Sequence, residues 1–198
     1  MLKESLSNYR VVLASGSPRR HELMAGLDIP FEVEVRSVEE VYPSTLQGQE
    51  ITEFLARKKA SAFTQDLTTE TLLITSDTIV WHKGMAVEKP LDRAHAVEML
   101  KELSGEKHEV FTSVHFVLGN HSKTVSDRTA VWFKQLSEAE ISYYVDTYKP
   151  YDKAGSYGVQ EWLGYIGIDR LEGSYFTVMG FPTHLVYKTL RELIDSGN

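Results

Sequence analysis

The segment Ser15-Gly16-Ser17-Pro18-Arg19-Arg20 joins small residues, a helix-starting proline and two adjacent cations. An apolar run precedes it, so we expect a strand to end here and a helix to begin, with Ser17 as its N-cap. Two arginines in the first turn oppose the helix dipole, and a bound anion would relieve that conflict. The backbone N–H groups of residues 15–17 and the two guanidinium groups therefore predict phosphate binding, with a solvated basic helix start as the alternative.

A carboxylate lies inside an apolar run further along the chain. Asp77, with Ser76 and Thr78, separates two half-strands, residues 72–75 and 79–81. Strand interiors are poor in Asp, and a charge placed there is expected to be paired, to bind a metal or to face a cleft. The alternative is that the strand ends at Thr75 and that Asp77 lies in a turn.

Three more charged side chains are candidates with weaker patterns. Glu40 follows Glu39, and together with Asp77 it would suit a hard cation such as Mg²⁺, which prefers oxygen ligands. Lys59 lies in a helical pattern, and Lys89 precedes a proline in a loop before a helix. Taken alone, each of these side chains is more typical of a solvated surface.

The run Asp152-Lys153-Ala154-Gly155-Ser156-Tyr157-Gly158-Val159-Gln160 has the composition of a binding loop. Its glycines let the backbone approach a ligand closely. Asp152 supplies an acceptor, Lys153 a cation, and Gln160 an amide that both donates and accepts. A polar hairpin loop is the alternative.

The elements that must position these residues alternate between strands and helices. Apolar runs predict strands at residues 10–14, 31–36, 72–81, 113–118 and 129–133, with a turn at Gly119-Asn120. Caps and helical spacing predict helices after Ser17, around residues 51–62, after Asp92, after Ser137 with its capping-box partner Glu140, and after Pro182. This order predicts an α/β fold with flanking helices and an antiparallel part in the middle of the chain, in a single domain over residues 1–198 that has two lobes at most.

Composition limits the function classes. The chain has 21 basic and 28 acidic residues and a formal charge of −7, which argues against a surface built for nucleic acid but allows a local anion pocket. Because there is no cysteine, disulfides, cysteine-ligated zinc and thiol nucleophiles are excluded. No apolar run is long enough to cross a membrane and no apolar signal core begins the chain, so we expect a cytoplasmic protein without a membrane partner.

Taken together, these segments resemble the Maf family, the nucleotide pyrophosphatases once described as septum-formation inhibitors. The resemblance runs from Leu13 to about Leu190 and lies in six motifs in the family's order. They are residues 13–20, 55–60, 76–80 and 88–90, residues 103–105 followed by His108, and residues 152–160 together with 173–175.

The resemblance implies a mixed parallel and antiparallel sheet with a long cleft, and a homodimer. It also implies that a nucleoside triphosphate is hydrolysed between the α and β phosphates with the help of Mg²⁺ or Mn²⁺. The version of residues 152–160 found here is similar to that of the branch that prefers dTTP and UTP. Another branch, associated with 7-methyl-GTP, carries a different sequence at these positions.

The resemblance also implies roles for single residues. Specificity positions correspond to Arg19, Thr78 and Gln160, and the proposed base corresponds to Asp77. The other polar cleft positions are Glu40, Lys59 and Lys89. This chain departs from the common pattern at Ser76, Glu161 and Phe181, and Glu161 follows the residue expected to read the base.

These residue types suit the chemistry that the resemblance implies. Arg20, Lys59 and Lys89, with the loop that begins at Ser15, would offset the triphosphate charge. Asp77 would accept a proton from water or, with Glu40, hold the metal, and the sequence leaves both roles open. The amide of Gln160 would pair with the edge of uracil or thymine.

Three other functions remain alternatives. The same chemistry would act on 7-methyl-GTP or on other modified nucleotides. A nucleotide-binding regulator of division would need no catalysis. The presence of the whole set of charged residues speaks against this alternative, because a pure binding protein need not keep them. A nucleic-acid-binding module is disfavoured by the acidic charge and by the lack of a basic, aromatic-interleaved stripe.

Overall fold

The computed structural model describes residues 1–196, in which helices and strands alternate as the sequence predicts. The strands are β1 (Arg10–Ala14), β2 (Glu32–Val33), β3 (Thr71–His82), β4 (Met85–Val87), β5 (Lys107–Leu118), β6 (His121–Phe133) and β7 (Ile168–Glu172). The helices are α1 (Leu2–Ser5), α2 (Pro18–Ala25), α3 (Gln49–Ser61), α4 (Arg93–Leu103), α5 (Glu138–Tyr148), α6 (Trp162–Gly167), α7 (Tyr175–Val178) and α8 (Thr183–Ser196). A 3₁₀ turn covers Ala154–Ser156.

The strands of residues 1–196 form one seven-stranded mixed sheet. Its order is β2-β1-β3-β5-β6-β7, and β4 pairs with the end of β3. β1 runs parallel to β2 and to β3, whereas the remaining pairs are antiparallel. The predicted α/β class with an antiparallel middle is therefore confirmed.

One edge of β3 carries a notch. The pairing with β1 ends at Ala14 opposite Thr75, and the pairing with β4 begins at Val87 opposite Val80. β5 pairs with the opposite edge of β3 throughout, so the strand is continuous across the gap. Within the described chain, residues 76–79 therefore lack a strand neighbour on one side. The sequence prediction of a single strand through Asp77 is confirmed, and the alternative of a turn there is wrong.

Apolar side chains pack on both sides of this notch. One cluster joins α1, α2 and α8 to β1 and to the first half of β3. A second cluster joins α4, α5 and α6 to the far end of β3 and to β5 and β6. α3 covers the opposite face of the sheet, where Ala60 packs with Val12 and Leu73. The polar residues at the notch are thus held between well-packed elements.

Two of the helix-start signals in the sequence are confirmed by side-chain hydrogen bonds, whereas Ser17 occupies the N-cap position of α2 without one. The Asp92 side chain accepts from the backbone N–H of His95 at 2.9 Å at the start of α4. At the start of α5, Ser137 and Glu140 form the predicted capping box. These caps satisfy backbone donors that a helix end leaves free.

The predicted strand over residues 31–36 is wrong in its extent. Only Glu32–Val33 is a strand, and Val33 and Val35 are 44% and 64% exposed. β2 is an edge strand that pairs only with the short β1, so its pairing stops where β1 turns away. The β5–β6 hairpin shows the opposite error, since the pairing continues well beyond the apolar runs that predicted it.

Across residues 1–196 we find no helix of sufficient length and apolarity to cross a membrane.

Candidate active site

A cleft of about 800 Å³ opens at the notch in β3. Its walls come from the β1–α2 loop, the segment before α3, β3 itself, the β4–α4 loop and the loop between α5 and α6. All candidate residues from the sequence line this one cleft: Ser15, Arg19, Arg20, Glu40, Lys59, Asp77, Thr78, Lys89, Asp152, Lys153 and Gln160. The fold therefore brings together side chains that are up to 145 positions apart in the sequence, from Ser15 to Gln160.

Two carboxylates and one ammonium group form the charged centre of the cleft. Lys59 Nζ donates to Asp77 Oδ1 at 2.6 Å and lies 2.7 Å from Glu40 Oε1. Asp77 is only 5% exposed, and its burial raises the pKa of its carboxyl above the ordinary range, against the lowering effect of Lys59. A carboxylate with a raised pKa is better suited to accept a proton than an ordinary surface aspartate.

Glu40 lies nearer the mouth of the cleft. Partial burial raises the pKa of Glu40, but Lys59, Lys89 and Arg20 outweigh this effect, so its pKa lies below the ordinary value. Lys89 Nζ is 3.7 Å from Glu40 Oε2, and the Lys89 side chain is 57% exposed. Glu40 thus presents an ionised carboxylate that shares Lys59 with Asp77, while Lys89 keeps the exposure that its loop position suggested.

The guanidinium group of Arg20 forms hydrogen bonds to several groups around the notch. Its Nε donates to the carbonyl oxygen of Gly180 at 2.9 Å, and its Nη1 donates to the carbonyl of Ser76 at 2.9 Å. Its Nη2 donates to Thr78 Oγ1 at 3.0 Å. The carbonyl of Ser76 lies on the unpaired edge of β3, so Arg20 supplies the hydrogen bond that a neighbouring strand would otherwise donate. Most of the N–H donors of Arg20 therefore bind acceptors within the protein. The sequence did not predict this structural role.

The hydroxyl of Thr78 is also committed to the protein. It accepts from Arg20 and bonds to Thr112 Oγ1 at 2.9 Å. Thr112 Oγ1 donates its proton to the carbonyl of Thr177 at 2.8 Å, so Thr78 must be the donor to Thr112. This chain of donors fixes the direction of the Thr78 and Thr112 hydroxyls.

The β1–α2 loop differs in part from the predicted anion nest. The N–H of Ser15 donates to the Leu13 carbonyl at 3.1 Å, and the N–H of Ser17 donates to Ser15 Oγ at 3.2 Å. Two of the three backbone donors predicted for phosphate are therefore used locally, because the loop turns tightly. The Ser15 hydroxyl accepts from Ser17 and, at 3.4 Å, from Arg20, which leaves its own proton for donation.

The segment of residues 152–161 forms the far wall of the cleft. It connects α5 to α6 through the 3₁₀ turn, so the alternative of a hairpin loop is wrong. Asp152 accepts from Arg19 Nη1 at 3.0 Å and from Lys153 Nζ at 2.7 Å, and these bonds hold the pKa of Asp152 below its usual value despite its burial. Lys153 Nζ also lies 3.1 Å from Glu161 Oε1. Arg19 is therefore joined to residues 152–161 by ion pairs in which positive and negative side chains alternate.

Gln160 carries an unpaired acceptor into the cleft. Its Oε1 is buried and has no hydrogen-bond partner among residues 1–196. Buried polar atoms are rarely left unpaired, because each one costs about 1–3 kcal/mol. This atom marks a position where a ligand donor would restore a lost hydrogen bond.

Sequence reasoning missed several cleft residues. Tyr42 donates its hydroxyl to Glu88 Oε1 at 3.2 Å and so links the segment before α3 to the β4–α4 loop. Val35 and Val38 also line the cleft. No periodic pattern marks residues 37–48, and residues 34–48 lack regular structure apart from turns. Glu88 precedes Lys89 in a recognised motif, which was the one available signal.

The two carboxylates of the cleft, Glu40 and Asp77, suit a divalent cation whose remaining ligands come from the substrate. Within residues 1–196 no group of three or more His, Asp or Glu side chains forms a metal cage. Glu40 and Asp77 nevertheless present ionisable oxygens to one point, at present the Lys59 ammonium. Mg²⁺ is commonly held by one or two carboxylates together with substrate phosphates and water, and this pair matches that pattern.

Comparison with known proteins gives close full-length relatives. The chain is 51% identical over 196 residues to the dTTP/UTP pyrophosphatase of Christiangramia forsetii, covering 99% of this chain and 100% of the relative. It is 49% identical over 194 residues to the dTTP/UTP pyrophosphatase of Flavobacterium johnsoniae, covering 98% and 100%. Among solved structures, the Staphylococcus aureus Ham1 protein aligns with a TM-score of 0.44 at 13% identity, over 63% of this chain and 71% of that one.

The family model for Maf-like proteins matches residues 10–193, which include every cleft residue described above. With this match and relatives of about half identity over nearly the whole length, the chain belongs to the Maf family.

Proposed function

We propose that this protein hydrolyses dTTP and UTP between the α and β phosphates, releasing the nucleoside monophosphate and pyrophosphate. The observation that carries the proposal is the placement of Asp77 with its raised pKa and of the unpaired Gln160 amide in a single cleft. The names of the full-length relatives support the same substrates. The cleft volume of about 800 Å³ is also in the range of small-molecule sites.

The phosphates would lie at the charged end of the cleft. Lys59, Lys89 and the remaining donor of Arg20 would offset their negative charge, and the Ser15 hydroxyl would donate to a phosphate oxygen. Catalysis of phosphoryl transfer rests mainly on such positioning and electrostatic stabilisation. The acidic net charge is tolerated because the attraction is local.

Asp77 would act on the attacking water. Its carboxylate accepts a proton while the water oxygen bonds to the α-phosphorus and the bond to the bridging oxygen breaks, which releases pyrophosphate. The Lys59 ammonium, 2.6 Å away, lowers the pKa of this carboxyl against the raising effect of its burial. This role requires only groups that already contact each other in the cleft.

A divalent cation, Mg²⁺ or Mn²⁺, would be held by Glu40 and Asp77 with the substrate phosphates. When bound, it would neutralise charge on the phosphate oxygens. Lys59 would then turn from the two carboxylates towards the phosphates.

The base would be read at the other end. Gln160 Oε1 would accept from N3–H of uracil or thymine, and its amide N–H would donate to the C4 carbonyl. Arg19 and Thr78 are the further specificity positions, and Asp152 with Lys153 would complete this wall. A homodimer in the cytoplasm stays a prediction, and light scattering after size exclusion would test the oligomer.

Pyrophosphate release tests the proposal directly. We expect release from dTTP and UTP with Mg²⁺ or Mn²⁺, lost with EDTA and restored by excess metal. CTP, ATP, GTP and 7-methyl-GTP complete the panel. Activity on 7-methyl-GTP alone would keep the chemistry and refute the base assignment, and folded protein inactive on every nucleotide would favour a binding protein.

A further inference from the structure

The residues around Gln160 are held by one phenol. The backbone N–H of Gly158 donates to Tyr144 Oη at 3.0 Å, and Tyr144 donates its own proton in a short hydrogen bond to Glu161 Oε2. These two hydrogen bonds fix the chain at residues 158 and 161, on either side of Gln160. Tyr144 lies in α5 and is fully buried, so its ring cannot follow the loop if the loop moves.

The second oxygen of Glu161 continues the connection into the cleft. Glu161 Oε1 lies 3.1 Å from Lys153 Nζ, which also bonds to Asp152 Oδ1 at 2.7 Å. Asp152 in turn accepts from Arg19 Nη1 at 3.0 Å. Two cations and two anions alternate along this path, so each charge has a partner of opposite sign.

The backbone is shaped to admit the Glu161 side chain. A Cβ at Gly158 would lie 2.8 Å from Cδ of Glu161, closer than side-chain carbon atoms approach. Glycine at position 158 therefore leaves room for the glutamate to fold back towards Tyr144. Burial raises the pKa of the Tyr144 hydroxyl far above its ordinary value, so its proton stays in place across the working pH range.

Gln160 needs such support because an amide reads two bases equally well. In one orientation the amide matches uracil, and after a turn of 180° it matches the N3 acceptor and N4 donor of cytosine. Discrimination therefore depends on where the amide is placed relative to the base, and a working site must be held within about 0.5 Å of the productive geometry.

We propose that Tyr144 and Glu161 are positioning residues for pyrimidine recognition: the Tyr144 hydroxyl and the Glu161 carboxylate hold residues 158–161 so that Gln160 accepts uracil and thymine and rejects cytosine. This role rests on the proposed function of Gln160. Neither residue touches the reacting phosphates, so their effect falls on nucleotide selection rather than on the chemical step.

Tyr144→Phe is the main test, because it removes the hydroxyl and keeps the ring. We expect the kcat/KM ratio of UTP over CTP to fall about tenfold, the effect of one or two hydrogen bonds to a charged group. The change should appear in KM for UTP, with kcat within about threefold. Tyr148→Phe is the matched control, since Tyr148 stacks on Tyr144 in the same helix and is 38% exposed.

Glu161→Ala and Glu161→Gln form a second pair. Alanine should reproduce the loss of selectivity, and glutamine should restore part of it because its carbonyl still accepts from Tyr144. If Tyr144→Phe fails to fold, this pair decides the question. Thermal unfolding accompanies each variant, and a general loss of stability alone would lower activity on both nucleotides equally.

Calorimetric binding of UMP and CMP separates this proposal from the proposed function. Wild-type protein that prefers UMP but turns over no triphosphate would refute the activity and leave the positioning role intact. The positioning role is overturned if Tyr144→Phe and Glu161→Ala keep the wild-type UMP-over-CMP ratio, or if the wild type shows no such preference.

Discussion

Asp77, Lys59 and Glu40 form a charged cluster at the notch in β3, whereas His108 and Tyr157 form a neutral pair in the core that α4, α5 and α6 complete. Asp77 and His108 are both buried on the same sheet. His108 is 1% exposed, its Nε2 bonds to Tyr157 Oη at 2.7 Å, and burial lowers its pKa to about 3. The first cluster opens to a cleft and pairs two carboxyl groups with one ammonium group.

The difference shows what separates a reactive buried group from a structural one. Phe133 and Tyr157 enclose the His108 imidazole edge to face, with ring centroids 4.9 and 5.4 Å away. Burial and the nearby His82 both disfavour the charged ring, so the neutral ring is favoured. Asp77 instead has Lys59 at hydrogen-bond distance and a path to solvent. We therefore expect changes at the first cluster to alter turnover and changes at the second to alter stability.

The largest effect is expected for Asp77→Asn. Loss of the proton acceptor should lower kcat by about 10³-fold. Because the folded pKa of Asp77 is raised, its carboxyl stabilises the fold at low pH and this contribution is lost as pH rises through the folded pKa. The neutral amide should therefore give a Tm at least as high as the wild type at pH 7.

Pyrophosphate release and thermal unfolding check both parts of this prediction. Asp66→Asn is the matched control, since Asp66 lies at the surface in an ion pair with Arg36. Wild-type turnover in Asp77→Asn would refute the catalytic assignment. A large drop in its Tm would make Asp77 a structural residue like His108.

Lys59→Met should have the next largest effect. It removes the cation shared by Asp77 and Glu40 and should lower kcat/KM by about 10²-fold, as loss of one electrostatic donor does. Lys59 lowers the pKa of Asp77 in the wild type, so without it that pKa rises further. The acidic limb of the kcat/KM profile should then move to higher pH.

A pH profile of the variant against Lys58→Met tests this shift. Lys58 is adjacent, but its Nζ donates to the Val41 carbonyl at the surface. An acidic limb that stays in place would mean that another group titrates in the profile.

His108→Gln should act on stability, by about 1–3 kcal/mol at pH 8 through the bond to Tyr157. The pKa of His108 falls from 6.5 to about 3 on folding. Its contribution is therefore present above pH 6.5 and lost as pH falls towards 3, because only the unfolded chain takes up the proton. The penalty of the substitution should shrink over this range.

Denaturant unfolding of the wild type and the variant at pH 8 and pH 5 measures this change. His121→Gln is the control, since His121 is exposed in β6. Equal penalties at the two pH values would contradict the buried, neutral state of His108. A fall in kcat greater than about tenfold at full folding would contradict its separation from catalysis.

Gln160→Glu should have the smallest effect. Gln160 Oε1 and His108 Nδ1 are both buried atoms without a hydrogen-bond partner within residues 1–196, yet of the two residues only Gln160 lines the cleft. A carboxylate accepts but cannot donate to the C4 carbonyl of uracil, so the UTP-over-GTP ratio should fall about tenfold. Gln65→Glu, at an exposed position, is the control for added charge. An unchanged ratio would place base recognition elsewhere.

Local signals predicted most of the elements, because helix caps and apolar periodicity act over a few residues. Asp92 and the Ser137–Glu140 pair mark the starts of α4 and α5. The strand over residues 31–36 failed because an edge strand depends on the length of its neighbour. The segment that contains Tyr42 left no pattern at all, since it is held by contacts with residues far along the chain.

The sequence by itself determined the α/β class, the single strand through Asp77 and, through six ordered motifs, the family and the eleven candidate residues that line one cleft. These follow from short-range spacing and from residue types that a reaction needs. The partners of those residues were decided only by the tertiary structure. Arg20 fills the unpaired edge of β3, Lys59 is shared by two carboxylates, and Tyr144 grips the loop around Gln160. Such contacts join distant parts of the chain, and which donor meets which acceptor depends on how the sheet and helices pack around the notch.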